Sequence, residues 1–233
     1  MGAKDKPGEL TRRGLFRSVG VAGTTAALAS CRHEGEATGS PRASGPEAFG
    51  HTAAPLSFEL DGAPISVDAE ARTTLLELLR VDLDATGTKL VCDRGACGAC
   101  LVLVDDVPRN SCMVLAHDVD GARVQTVASL GGSGRLSPLQ QAFVAHDALQ
   151  CGFCTSGMLI STTALLARRR PGDPPLRGEQ VRDAIAGNLC RCGTYPNVVA
   201  AVLSIANPGS PDMPSPTVVL SAGEPEPTTT GRN

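Results

Sequence analysis

The sequence predicts an α+β chain: a small mixed sheet with one helix across it, followed by a bundle of four short helices. Three observations carry this reading. Apolar residues alternate with polar ones around Asp61-Gly62, the apolar spacing turns helical from Ser137 onward, and eight of nine cysteines fall into two separate sets of four, one per half. The 233 residues suit one or two compact units plus extensions, and with 42% hydrophobic and 19% charged residues the middle of the chain reads as globular.

Residues 1–31 read as an address. A basic stretch, a modest apolar run from Val19 to Ala29 and a small-residue cluster ending in Ala-Leu-Ala-Ser-Cys follow in signal-peptide order. The run is too short and too diluted by Gly20, Gly23, Thr24 and Thr25 to span a bilayer. Thr11-Arg12-Arg13-Gly14-Leu15-Phe16-Arg17 resembles the twin-arginine motif that sends folded bacterial proteins to the periplasm, with Leu15 and Phe16 in swapped order. Cleavage is expected either after Ala29 or before Cys31, where Leu28-Ala29-Ser30-Cys31 resembles a lipobox and would give a lipid-anchored protein.

Residues 32–54 read as a flexible linker and 207–233 as a disordered tail, both too poor in apolar residues to offset ordering entropy. Between them lie a first domain over 55–130 and a second over 131–206. In the first, Phe58, Leu60, Ile65 and Val67 flank a hairpin turn, and Thr74-Leu75-Leu76-Glu77 has capping-box spacing and opens a short helix. Strands are expected at Leu101 to Val104 and near Val124 to Val127. In the second, Ser137-Pro138-Leu139-Gln140 is a helix start, with Leu139, Phe143 and Leu149 on one face. Further helices are expected over Ser156 to Arg170, whose three arginines suit a helix C-terminus, over Glu179 to Ala186 and over Pro196 to Ile205. Gly131-Gly132-Ser133-Gly134 is a linker, since no Gly-Lys-Ser/Thr follows to make a phosphate loop.

Charge narrows the function. The formal net charge is -3, and because residues 1–30 hold five basic and two acidic groups, the remainder is more acidic still. Lys89 is the only lysine after Lys6, and with one Tyr, five Phe and no Trp there is little to neutralise phosphates or stack on bases. Nucleic acid is not an expected partner.

The cysteines carry the chemistry. Cys92-x4-Cys97-x2-Cys100-x11-Cys112 opens with plant-type 2Fe-2S spacing, and Gly95 and Gly98 let the backbone wrap a cluster and aim N–H groups at its sulfurs. A zinc knot suits this loop less well. Cys151-x2-Cys154-x35-Cys190-x-Cys192 is ambiguous on spacing alone, and zinc fits it as readily. Its place at helix junctions, Cys154 near one N-terminus and Cys190 and Cys192 between two helices, favours thiolates. Disulfides are a third reading, though Cys190 and Cys192 cannot easily pair with each other.

Thr86-Gly87-Thr88-Lys89 before Cys92, Cys97-Gly98-Ala99-Cys100, Ser111-Cys112, Gln150-Cys151-Gly152-Phe153-Cys154-Thr155 and Asn188-Leu189-Cys190-Arg191-Cys192-Gly193 resemble the iron-sulfur small subunit of the xanthine dehydrogenase/aldehyde oxidoreductase family of molybdenum hydroxylases. The likeness covers residues 56 to 205. Ser156 stands where many members have Pro, and Cys192-Gly193-Thr194 replaces the frequent Cys-Thr-Gly, as in the exported aldehyde-oxidising branch.

The resemblance implies a plant-ferredoxin-like β-grasp domain and an all-α four-helix domain, each holding one 2Fe-2S cluster on its four cysteines. It implies a large partner subunit with a molybdopterin-type cofactor that oxidises an aldehyde or N-heterocycle, and an FAD subunit or c-type cytochrome as acceptor. Gln150 would contact the pterin cofactor and Cys192 approach it. No catalytic residue is expected in this chain: His117 and His146 read as surface or capping histidines, and Arg94 as a solvated arginine. A free-standing exported ferredoxin-like carrier and a zinc- or disulfide-stapled binding protein remain as alternative readings.

Overall fold

The computed structural model describes residues 52–132 and 134–209. The twin-arginine stretch, Cys31, most of the linker and the tail beyond residue 209 lie outside it. Strands β1 (Ala54–Leu60) and β2 (Ala63–Ala69) pair antiparallel from Ala54↔Ala69 to Leu60↔Ala63. A two-residue turn joins them, with Asp61 and Gly62 at φ 51° and 86°, the left-handed pair that matches strand twist. Alternation then sends Leu56 and Phe58 into the core.

Helix α1 (Leu75–Glu77) begins where Thr74 Oγ1 accepts from the Glu77 N–H at 3.2 Å, and it continues as a π turn over Leu78–Asp82. It lays Leu75, Leu78 and Leu79 on the sheet beside Val102 and Val124. Strands β3 (Leu101–Val104), β4 (Val107–Asn110) and β5 (Arg123–Gln125) complete a five-stranded sheet of order β2-β1-β5-β3-β4, in which β1 and β5 run parallel. The expected strand near Val124 ends two residues early, because Val127–Leu130 form a 3-10 turn. His117 Nε2 hydrogen-bonds to Ala69 O at 2.9 Å, which ties the 3-10 turn Ala116–Val119 to the end of β2.

Helix α2 (Pro138–Ala145) has the capping box its sequence announces: Ser137 Oγ accepts from Gln140 N–H at 3.2 Å, and Gln140 Oε1 from Ser137 N–H at 2.8 Å. It stops before Leu149, which packs on the core from the following loop instead of from the helix face. Helix α3 spans Thr155–Ala167, so the three arginines follow it rather than form its last turn. Arg169 Nη2 reaches Pro174 O at 2.7 Å, and the Arg170 N–H is held by Asp173 at 2.8 Å. Helices α4 (Gly178–Ala184) and α5 (Tyr195–Ala206) close a core of Leu139, Phe143, Met158, Val181, Ile185, Val198 and Val202. Asn207, a tail residue by composition, is part of the fold, exchanging two 2.8 Å hydrogen bonds with the Leu176 backbone.

The sheet half and the helical half meet directly. Leu103 on β3 packs with Ile160 and Ala164 of α3. His146 is the C-cap of α2, the capping place expected of it, but it is 5% exposed and not a surface residue, and burial lowers its pKa.

Candidate functional site

Cys92, Cys97 and Cys100 lie on the loop leading to β3, and Cys112 on the 3-10 turn Ser111–Met113 after β4. The loop is held by its own backbone. Gly95 N–H donates to Cys112 Sγ at 3.2 Å, Asn110 Nδ2 donates to Gly95 O at 3.3 Å, and Ser111 Oγ donates to Cys100 O at 2.7 Å. Arg94, read as a solvated arginine, reaches back through Nε to Cys92 O at 2.9 Å. The thiols differ in proton affinity. The Arg94 N–H lowers Cys92 to about 7, helped by Cys97 and Ala96, whereas burial pushes Cys112 up to about 11.

Cys151 and Cys154 come from the turn before α3, and Cys190 and Cys192 from the loop between α4 and α5. Cys154 occupies the N-cap of α3, yet burial pushes it up to about 12, so desolvation outweighs the helix end that favours a thiolate. At Cys190 the expected helix-end effect is present. Burial raises Cys190, but the hydroxyl and N–H of Thr194, the N-cap of α5, together with Gly193 bring it down to about 7. Tyr195 braces the same loop: its hydroxyl accepts from Cys190 N–H at 2.8 Å and donates to Asn188 O at 2.9 Å.

Within each set the thiols interact with one another: Cys92 with Cys97 and Cys112, and Cys112 with Cys100; in the second set Cys154 with Cys190 and Cys151, and Cys192 with Cys151 and Cys190. All eight are free thiols. Two bridged irons need two thiolates each, and four thiols per set supply that number.

Backbone joins the two loops. Leu189 N–H donates to Cys97 O at 3.0 Å, Asn188 Nδ2 to Gly98 O at 3.1 Å and Ser156 Oγ to Ala99 O at 3.1 Å, while Ser161 Oγ holds Asn188 Oδ1 at 2.7 Å. A side chain at Gly157 would overlap Gly98 O, so glycine is required there by close approach. Each loop therefore forms part of the other's support. Of the second set, Cys151 and Cys192 are exposed, and exposed Gln150, Phe153 (57%) and Leu189 (60%) lie around them.

The sequence reading named the eight cysteines, Gln150 and the loop glycines, and the structure gathers the cysteines into two sites. It did not single out Asn110 or Tyr195, and it took Asn188 and Thr194 only as members of the motifs around Cys190 and Cys192. The signal was there for Tyr195, the chain's one tyrosine, which follows the Cys190-x-Cys192 pair closely.

A model described as the 2Fe-2S iron-sulfur cluster binding domain matches residues 58–127, and one described as the [2Fe-2S] binding domain matches 126–203. The chain is 39% identical over 205 residues to the aldehyde oxidoreductase iron-sulfur-binding subunit PaoA of Escherichia coli O157:H7, covering 83% of this chain and 86% of that protein. It is 47% identical over 148 residues to the nicotine 6-hydroxylase small subunit of Paenarthrobacter nicotinovorans, covering 64% and 87%. Among solved structures, quinoline 2-oxidoreductase from Pseudomonas putida 86 superposes with a TM-score of 0.62 at 37% identity, over 67% of this chain and 92% of that one. With that similarity and two cysteine sites of the matching kind, the chain belongs to the family of 2Fe-2S small subunits of xanthine dehydrogenases and aldehyde oxidoreductases, the molybdenum hydroxylases.

Proposed function

We propose that this chain holds two 2Fe-2S clusters and carries electrons away from a molybdopterin-bearing large subunit that oxidises an aldehyde or N-heterocycle. The observation that carries the reading is the pair of four-cysteine sites joined by the Cys97 O to Leu189 N–H hydrogen bond. Clusters bound there would each accept and release one electron. The protein's part is positional. Cys92 with Cys97, and Cys100 with Cys112, would hold the first; Cys151 with Cys192, and Cys154 with Cys190, the second. Gly95 N–H already donates to a ligand sulfur, Cys112 Sγ, which disperses charge on reduction.

The exposed edge around Gln150, Cys151, Phe153, Leu189 and Cys192 is the side proposed to meet the large subunit, with Gln150 toward the pterin. The first site would pass electrons to an FAD subunit or a c-type cytochrome. Similarity to the aldehyde oxidoreductase subunit over 205 residues, more than the described fold contains, supports the aldehyde side of the family. The Arg12-Arg13 stretch supports export of the folded, loaded chain to the periplasm, free after cleavage at Ala29 or tethered through Cys31. Among the described residues no helix is long and apolar enough to cross a membrane.

Metal analysis and paramagnetic resonance of anaerobically isolated protein test the reading. About four irons and four acid-labile sulfides per chain are expected, with Cys97→Ser and Cys154→Ser each removing a different signal. Stoichiometric zinc would overturn it. Gln150→Ala should slow reduction by substrate with both clusters in place, and Arg12→Lys with Arg13→Lys should strand loaded complex in the cytoplasm.

A further inference from the structure

A buried hydroxyl without a hydrogen-bond partner is unfavourable, and folded proteins leave few of them. Among the described residues two buried side-chain polar atoms lack a partner, and both are threonine hydroxyls: Thr88 Oγ1 and Thr155 Oγ1. Each belongs to a segment that leads into or out of a cysteine site.

Thr155 directly follows Cys154, and its N–H donates to Gly152 O inside the Cys151 to Cys154 turn. As the first residue of α3 it has no preceding helical turn whose carbonyl could accept its hydroxyl. Thr162, further along the same helix, does have one and donates to Met158 O at 2.7 Å. Thr88, 1% exposed, is held on the segment leading to Cys92. Arg80 Nη1 donates to Thr88 O at 2.7 Å, and the neighbouring Lys89 N–H donates to Ala99 O at 3.4 Å, between Cys97 and Cys100. Arg80 in turn lies one helical turn beyond Leu76, which packs on Cys100 and Cys112.

Resting on the reading that each site holds a 2Fe-2S cluster, we propose that the Thr88 and Thr155 hydroxyls each donate a hydrogen bond to a sulfur of the cluster beside them and raise its reduction potential. An electron added to a cluster increases the negative charge on its sulfurs, so a donor aimed at them favours the reduced form. The proton stays on the threonine oxygen throughout, and a single electron enters with no bond made or broken. Thr88 and Thr155 are positioning residues in this role.

The test is a redox titration of the native complex with dithionite, followed by paramagnetic resonance, the two signals being assigned through Cys97→Ser and Cys154→Ser. Thr155→Val keeps the shape and removes the hydroxyl. It should make the second-site cluster about tenfold harder to reduce, a fall of about 59 mV for one electron, with the first-site cluster unchanged. Thr88→Val should do the reverse, and Thr155→Ser and Thr88→Ser should keep wild-type potentials. Should a valine variant not load its cluster, the smaller Thr→Ala variant carries the same expectation. Iron and sulfide content are measured first. Wild-type complex without clusters would overturn the functional reading, whereas a loaded variant at wild-type potential would overturn this assignment for that hydroxyl, as expected if only a buried water served it. A Ser variant shifted as far as Val would also overturn it, because packing and not the hydroxyl would then set the potential.

Discussion

Replacing Gly157 by alanine sets helix propensity against packing. At an exposed helical position the change stabilises by about 0.5–1 kcal/mol, since alanine surrenders less backbone freedom. At Gly157 the new Cβ would overlap Gly98 O and stand 2.8 Å from Asn188 Nδ2 and 2.9 Å from the Gly98 carbonyl carbon. The main chain of the first cysteine loop cannot rotate away as a flexible side chain could, so α3 and the loop must part. Three hydrogen bonds cross or adjoin this contact: Asn188 to Gly98, Leu189 to Cys97 and Ser156 to Ala99. At about 1 kcal/mol each their loss removes about 3 kcal/mol, which the propensity gain offsets by about 1. The net destabilisation is about 2 kcal/mol, or roughly 4–8 °C in Tm for a fold of this size. Thermal unfolding of the full chain, followed by circular dichroism, measures it. A Tm equal to or above wild type would refute the argument that the loops touch through their backbones.

Other outcomes follow from the same geometry. Tyr195→Phe strips the partner from both Cys190 N–H and Asn188 O, so stability should fall by about 1–3 kcal/mol, with preferential loss of the second paramagnetic signal; retention of both would count against the brace. Burial lowers the pKa of His146 below the value near 6.5 that it takes when unfolded, so between those two values the unfolded chain binds the extra proton. Stability from this source is complete above about pH 6.5 and declines as pH falls through that window, and urea titrations of His146→Gln should show a shallower acid slope than wild type. In apoprotein at neutral pH, Cys92, held at about 7, should react with iodoacetamide before Cys112, held at about 11; peptide mapping that finds Cys112 labelled first would contradict the assignment.

Where the sequence was legible, the signal was local. The Asp61-Gly62 hairpin and the Ser137 to Gln140 capping box depend on residues within a few positions of each other, and both stand as read. Strand β4 escaped because Val107-Pro108-Arg109-Asn110 shows no clean alternation and carries a proline, which the edge of the sheet tolerates. The extent of α3 was overread because three arginines suit a helix end in general, and here Pro174 and Asp173 draw them into the loop. Spacing groups the cysteines into two sets but says nothing of which thiols act most strongly on each other, since Cys154 with Cys190 and Cys151 with Cys192 are far apart along the chain. The helix-end argument holds for Cys190 and fails for Cys154, because burial of Cys154 is a tertiary fact.

The acceptors that join the two cysteine loops, on Cys97, Gly98 and Ala99, are all main-chain carbonyls, and Leu189 donates through its amide. Peptide groups are the same whatever side chain they carry. Two of the three donors, Asn188 Nδ2 and Ser156 Oγ, are side chains, so the joint asks for Asn188 and Ser156 by identity while Ala99 and Leu189 can vary without breaking it. Leu189 is 60% exposed, so the residue that ties the two loops with its amide leaves its side chain outside that joint, free to change without loosening it.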